Sequence, residues 1–194
     1  MGRAARIAEK RGRQMQAAAN QIGKAVGVSM ALFATGAAVA VKKAIDRADE
    51  LDEMAQKVGA SVQSLSRLQF VASRDGVDDF TNSMVKLNKA AVEAADKNSD
   101  QARAFAALGV SVTDANGKIR STDQLFVDIA ERFSMSEDGA AKAAVAMVLF
   151  GKSGADLIPM LNNGAAELAR LAELADRLGV TIDEKTAAAA GRFN

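Results

Sequence analysis

The stretch from Ala140 to Gly164 constrains the fold more than any other part of the chain. An apolar run ends on Gly151, and a second apolar segment follows around Pro159, the only proline in the sequence. An apolar helix that stops on a glycine and turns back into a short second element is typical of the centre of a small helical core. We therefore predict that Gly151 is a left-handed residue after a helix. In the same turn, Gly154 is expected as a turn residue and Ser153 as the cap of the next element.

Gly151-Lys152-Ser153 is similar to the end of a phosphate-binding P-loop, but the complete pattern is missing. GxxxxGK[ST] requires a glycine at the position held by Ala146. The intervening residues, Met147 to Phe150, are bulky and favour a helix over a loop whose backbone N–H groups surround phosphate. We therefore reject a nucleotide site at this position.

No cysteine, histidine, tyrosine or tryptophan occurs in the 194 residues. This composition removes disulfides, thiolate metal sites, the commonest zinc ligand and any Ser-His-Asp triad. The carboxylates are spread along helix faces, and no pair stands out as a catalytic dyad. We expect no catalytic, cofactor-binding or metal-binding residue, and we predict that the chain is not an enzyme.

Composition and glycine placement together predict an all-α fold. The chain is rich in alanine and contains one proline, which favours helix. We predict a long N-terminal helical stalk over residues 1–58, basic and then apolar, followed by a compact helical bundle over 59–194. Within that bundle, glycines should end helices and small hydroxyl residues should cap the next ones. The residues assigned these roles are Gly59, Gly109 and Gly179 as stops, and Ser61 and Thr181 as caps.

One small β-hairpin is expected near residues 110–120. Asn116-Gly117 lies between short β-prone runs, which is a turn signal for a hairpin. The acidic and amide residues of this loop also suggest a calcium-binding EF-hand. That interpretation fails because Ile119 stands where the EF-hand needs glycine.

The uncharged stretch from Ala25 to Val41 leaves four interpretations open. It could be a buried helix of an oligomer, a membrane-inserting segment, a cleaved signal peptide or an ordinary core helix. In an oligomer helix or in a membrane-inserting segment, small residues at helical spacing allow helix backbones to approach closely. The residues of this possible membrane or oligomer-packing segment are Gly23, Gly27, Ala31, Leu32, Phe33 and Val39.

The N-terminal segment Met1–Lys24 is strongly basic, with six basic residues against Glu9 alone. Contact with DNA phosphates is one interpretation, but the segment has no interleaved aromatics and no nucleic-acid motif. A solvated charged face is the simpler alternative.

Several segments together resemble the tape measure proteins of long-tailed bacteriophages. The segment Leu149–Gly164, LFGKSGADLIPMLNNG, is similar to a signature of that family. Three further segments occur in the family's order, so the resemblance covers roughly residues 44–194. They are Leu51–Leu68, Phe105–Thr122 and Leu178–Asn194.

The resemblance implies a structural virion protein that sets tail length and later leaves through the tail tube ahead of the DNA. Expected partners are the tail tube protein, distal tail or baseplate proteins, copies of itself and tail assembly chaperones. The expected location is the tail lumen or tip, after assembly in the bacterial cytoplasm. An alternative function is a membrane-inserting module that helps DNA cross the host inner membrane. Family members are usually much longer, so we expect either a fragment or the ruler of a short tail, as in gene-transfer-agent-like particles.

Overall fold

The structure is a computed structural model that describes residues 37–190, with side chains from Asp46 onward. This part of the chain is mostly helical, which confirms the predicted fold class at that level. A 3₁₀ helix, Lys152–Leu157, joins α6 to α7. The α-helices are α1 Ala37–Val58, α2 Val62–Arg74, α3 Phe80–Glu93, α4 Asp100–Leu108, α5 Thr122–Ser134, α6 Ala140–Phe150, α7 Ile158–Leu161, α8 Gly164–Leu178 and α9 Glu184–Ala190.

One hydrophobic core joins all of these helices, and α3 lies near its centre. Helix α3 packs against α1, α2, α4, α5 and α6. The ring of Phe126 in α5 lies edge-on between those of Phe80 in α3 and Phe150 in α6, with centroid distances of 5.6 and 5.9 Å. Edge-to-face pairs of this kind stabilise a core beyond the area that they bury. Aromatic contacts therefore fix α3, α5 and α6 relative to one another.

Four helix stops share one local geometry built on glycine. In each, the glycine has a positive φ and the N–H after it donates to a carbonyl five residues earlier. This is the Schellman bond, which satisfies a carbonyl that the helix itself leaves unpaired. The predicted stops at Gly59, Gly109 and Gly179 are confirmed, and Gly76 is the fourth. The bonds are Ala60 to Ala55, Val77 to Ala72, Val110 to Phe105 and Val180 to Ala175, at 2.8–3.2 Å.

The turn after α6 differs from its predicted form in two ways. Gly151 has φ 81° and ψ −162°, which is an extended positive-φ conformation accessible essentially only to glycine, not the left-handed helical one. Ser153 does not cap a helix, because it lies inside the 3₁₀ helix and its hydroxyl donates to Asp79 Oδ2 at 3.1 Å. Gly154 is buried against α6, and a Cβ there would lie 2.2 Å from the carbonyl oxygen of Ala146. Close packing, and not a cap, therefore shapes this turn.

The N-caps follow the prediction at Ser61 and depart from it at Thr181. Ser61 Oγ accepts from the N–H of Ser64 at 3.0 Å, as predicted. Thr181 is not the cap of α9, because its hydroxyl donates to Asp176 at 2.7 Å. Asp183 caps α9 instead, accepting from the N–H of Thr186 at 2.8 Å.

Between α4 and α5 the chain reverses through a tight turn at residues 114–117. Thr113 and Ile119 form an isolated antiparallel bridge, and the N–H of Asp114 donates to the carbonyl of Lys118 at 2.8 Å. Gly117 has φ 77°, while the N–H of Asn116 donates to the Asp114 carboxylate at 2.8 Å. The bridge is isolated, and no strand forms within residues 37–190, so the hairpin stays a prediction.

Candidate interaction site

A side-chain clamp fastens the C-terminal end of helix α1 to the bundle. Thr122 Oγ1 donates to the carbonyl of Val58 at 2.5 Å, and Asn88 Nδ2 donates to the carbonyl of Lys57 at 3.1 Å. The last carbonyls of a helix have no partner within the helix, and burying them unpaired is costly. Helices α3 and α5 therefore supply the groups that allow α1 to end inside the fold.

The C-terminal half of α1 also contributes apolar side chains to the shared core. Ala48, Leu51, Met54, Ala55 and Val58 are all buried. Their spacing of three and four residues places them on one face of the helix. This face packs against α2, α3 and α9. We call this clamped and buried end of α1 the joint.

A groove of about 720 Å³ lies between α2, α5 and α8. Ala165, Leu168, Ala169 and Ala172 line it along α8, at the three- and four-residue spacing of one helix face. Three of these four residues are alanine, so the backbone of α8 is open to close approach from outside. Small residues at helical spacing are a common feature of close helix–helix contacts.

Two ion pairs flank this groove. Arg67 of α2 donates to both carboxylate oxygens of Asp176 in α8, from Nε at 3.0 Å and from Nη2 at 2.5 Å. Arg120, just before α5, pairs with Asp128 at 2.7 Å. Bidentate arginine–carboxylate pairs have strict geometry, so the first pair sets the relative position of α2 and α8.

The Arg67 pair also shifts two pKa values. The hydrogen bond from Arg67 is the main cause that lowers the pKa of Asp176, with a further contribution from Thr181. The same bond raises the pKa of Arg67. A lowered carboxyl pKa stabilises the folded state above the unfolded pKa, and this contribution is lost as pH falls through the folded pKa. The pair is partly exposed, so screening by solvent keeps its contribution small.

Two further acidic side chains line the groove without a basic partner. Oδ1 of Asp123 is buried and accepts no hydrogen bond. Glu173 makes no ion pair with any residue between 46 and 190. After the two ion pairs cancel, the groove keeps an excess negative charge of about two, from these two carboxylates.

A buried lysine fixes the connection between α5 and α6. The Lys142 side chain is 4% exposed, and its Nζ donates to Asp138 at 2.8 Å and to the carbonyl of Ser136 at 2.9 Å. The same ammonium lies 5.5 Å from the ring centroid of Phe133, within cation–π range. The hydrogen bond from Lys142 Nζ to Asp138, followed by one from Asn162, lowers the pKa of Asp138. These contacts of the Lys142 ammonium stabilise the connection between α5 and α6, so Lys142 has a structural role.

The structure gathers the predicted site residues only in part. Gly151, Ser153 and Gly154 form one turn, whereas Gly59 with Ser61, Asn116 with Gly117, and Gly179 with Thr181 lie in three separate loops. Val39 lies in helix α1, in the portion without described side chains. The remaining residues of the segment with Val39 lie outside the described part of the chain. These are Gly23, Gly27, Ala31, Leu32 and Phe33.

Residues 37–190 contain no group of three or more acidic side chains placed to hold a metal ion. In the same range, no single helix is long and apolar enough to cross a membrane. One pair of consecutive helical segments, Ala140–Phe150 and Lys152–Leu161, passes that test of length and composition together, with a bend of 120° between them.

The chain matches no protein-family model, no curated protein and no solved structure to which it was compared.

Proposed function

We propose that this chain is a structural virion protein, the N-terminal part of a tail tape measure protein. The proposal includes the helical stalk over residues 1–58, of which α1 supports the C-terminal part, and the small hairpin near 110–120. On this proposal, the protein acts in the tail lumen or tip and performs no catalysis. Its partners are the tail tube protein, distal tail or baseplate proteins, tail assembly chaperones and further copies of itself.

The joint is the observation that carries this proposal. A helix that sets a distance must be held firmly at one end, because any pivoting there changes the length that it spans. The clamp from Asn88 and Thr122, together with the buried face of α1, provides such a fixed end. The resemblance at Leu149–Gly164 adds support, since this segment contributes Leu149, Phe150, Leu157, Met160 and Leu161 to the core.

The mechanism on this proposal is geometric. A helix rises about 1.5 Å per residue, so the number of helical residues sets a length around which tube subunits polymerise. The 22 residues of α1 correspond to about 33 Å of rod. The bundle gives the rod a folded head that other tail proteins can recognise.

Tail length measures this function directly. An in-frame deletion of the codons for residues 16–36 removes about 30 Å of predicted helix, at about 1.5 Å per residue. We expect tails that are shorter by about this length in electron micrographs. The matched control replaces the same residues with an equal number of other helix-forming residues, and its tails should keep their length. Assembled tails of unchanged length after the deletion would exclude the ruler.

The alternative, a membrane-inserting module, has support from the uncharged stretch between Lys24 and Lys42. At about 1.5 Å per residue this stretch spans about 25 Å, slightly less than the hydrocarbon core of about 30 Å. If it inserts, the full chain should float with liposomes, and a chain with lysines at Val28 and Leu32 should remain in the dense fraction. Equal behaviour of the two chains would reject insertion by this segment.

A further inference from the structure

Helix α6 presents an uncharged face to the solvent. Its single charged residue, Lys142, is buried. The exposed residues of the helix are Ala140, Ala141, Ala144 and Met147, and Met147 is 47% exposed. The solvent face of a helix in a globular protein normally carries charged or polar side chains. The outer face of α6 is therefore a helix face without a partner among residues 46–190.

The exposed residues form one continuous stripe along the helix. Positions 140, 144, 147 and 151 are three and four residues apart, so they lie on the same side of α6. They are Ala, Ala, Met and Gly. Small side chains allow a second helix to approach closely, and the flexible Met147 can fill the gaps that remain. The stripe therefore has the shape of a surface for packing against another helix.

The two ends of this stripe carry opposite charges. Glu137 lies three residues before α6 and is exposed. At the other end, the Lys86 side chain of α3 lies across Gly151, where an added Cβ would be 3.4 Å from Cγ and 3.9 Å from Cε of that lysine. Within residues 46–190, neither the Glu137 carboxylate nor the Lys86 ammonium has an ion-pair partner. A face that begins acidic and ends basic is complementary to an antiparallel copy of itself.

We propose that α6 of one copy packs antiparallel against α6 of a second copy, about a two-fold axis near Ala144. This contact is isologous, because the same surface is used on both copies, and it closes as a dimer. It brings Glu137 of each copy towards Lys86 of the other, so the charge pair occurs twice. Antiparallel packing also places opposite ends of the two helix dipoles side by side. The inference rests on the self-association part of the proposed function and not on the ruler.

The size of the face predicts a weak dimer. Helix α6 has 11 residues, which correspond to about 16 Å at about 1.5 Å per residue. A standard stable interface buries about 800 Å² on each partner, and one face of so short a helix buries less than that. We therefore expect dimers that form at high protein concentration and exchange rapidly. A covalent trap is the suitable measurement for a contact of this kind.

The absence of cysteine from the chain allows such a trap. In the full chain, Ala144→Cys places a thiol near the axis, where it meets the same thiol of the second copy within the Cα separation of about 7 Å that a disulfide allows. Under mild oxidation we expect a covalent dimer as the main product. The matched control is Ala140→Cys, on the same face but four residues from the axis. Antiparallel packing sets its two thiols about 12 Å apart along the helices at about 1.5 Å per residue, so it should cross-link at least about tenfold more slowly.

Charge reversal tests the proposed pairing of Glu137 with Lys86. Each of Glu137→Lys and Lys86→Glu, added to the Ala144→Cys chain, should slow cross-linking about fivefold, because like charges then face each other. A mixture of the two variants should recover the original rate through mixed dimers, in which every reversed charge meets its opposite. Lys118→Glu, an exposed lysine in the turn before α5, changes the net charge equally and should have little effect. Circular dichroism and unfolding midpoints establish that each variant is folded.

Three outcomes would overturn the inference: no covalent dimer of Ala144→Cys, equal cross-linking of the Ala140→Cys control, or no recovery in the mixture of charge variants. Tail lengths distinguish failure here from failure of the proposed function. If cross-linking fails while the deletion of residues 16–36 still shortens tails, only the α6 contact is wrong. Tails of fixed length with normal cross-linking would reject the ruler and leave the contact in place.

Discussion

Gly154 shows how a single residue sets the path of the chain after α6. The residue is buried, and the space for its Cβ is occupied by the carbonyl of Ala146. Its φ is not positive, so the requirement for glycine is steric and not conformational. Gly109 is the opposite case, because it has φ 65° and nothing within 4 Å of its missing Cβ. The two positions therefore require glycine for two different reasons, a steric one at Gly154 and a conformational one at Gly109.

Alanine substitution at these two positions should have different effects. Gly109→Ala introduces a strained left-handed residue and should lower the free energy of unfolding by about 1 kcal/mol. Gly154→Ala forces α6 and the 3₁₀ helix apart and should lower it by about 3 kcal/mol. Urea unfolding followed by circular dichroism measures both. Equal losses would contradict the steric explanation.

Other residues show which helix caps can be predicted from the local sequence and which cannot. Ser61 is a correctly predicted cap because its partner, the N–H of Ser64, is three residues away. Ser153 was predicted wrongly because its partner, Asp79, is 74 residues away in the sequence. For α9, the better signal was Asp183, a preferred N-cap residue directly before the first helical position.

At the scale of elements, helix α1 depends on groups that its own sequence does not contain. Its last carbonyls are paired by Asn88 and Thr122, which lie 31 and 64 residues away from their acceptors. Local patterns predicted where α1 ends, through Gly59, but they could not predict this clamp. Local patterns could not predict the pair of Arg67 and Asp176 either, because it joins α2 to α8 across 109 residues.

The clamp makes a prediction about the stability of α1. Thr122→Val keeps the shape of the side chain but removes the hydroxyl that pairs the carbonyl of Val58. We expect a loss of about 1–2 kcal/mol in the free energy of unfolding, since a buried acceptor is left unpaired. Hydrogen exchange should also accelerate in the last turn of α1. Thr122→Ser retains the hydroxyl and should lose less of the free energy of unfolding. Equal losses in the serine and valine variants would mean that this hydrogen bond contributes little to stability.

At the scale of the whole molecule, the described part of α1 and the helices after it share one core. The predicted domain boundary at residue 58 stays a prediction, but five residues of α1 are buried in that core. Helical content could be predicted from composition, and the glycine stops from the placement of the glycines. The groove was not, because it is formed by three helices whose arrangement depends on long-range pairs.

Truncation of a buried α1 side chain tests how far this end of the helix belongs to the folded unit. Leu51 is 3% exposed, so Leu51→Ala should cost about 2–4 kcal/mol of unfolding free energy and shift the single unfolding transition of the bundle. Glu50→Ala, on the exposed side of the same helix, should change it by less than about 0.5 kcal/mol. An unchanged bundle transition in Leu51→Ala would mean that α1 folds independently.

The bond between Ser66 and Ile182 has a consequence for synthesis of the protein on the ribosome. This buried contact joins residues 116 positions apart, so Ser66 stays without this partner until the C-terminal part of the chain has emerged. At about 10 residues per second, the interval is about ten seconds. During that time the Ser66 hydroxyl lacks this donor, although α2 already has α1 and α3 to pack against. Completion of the fold is thus timed by translation of its last helices.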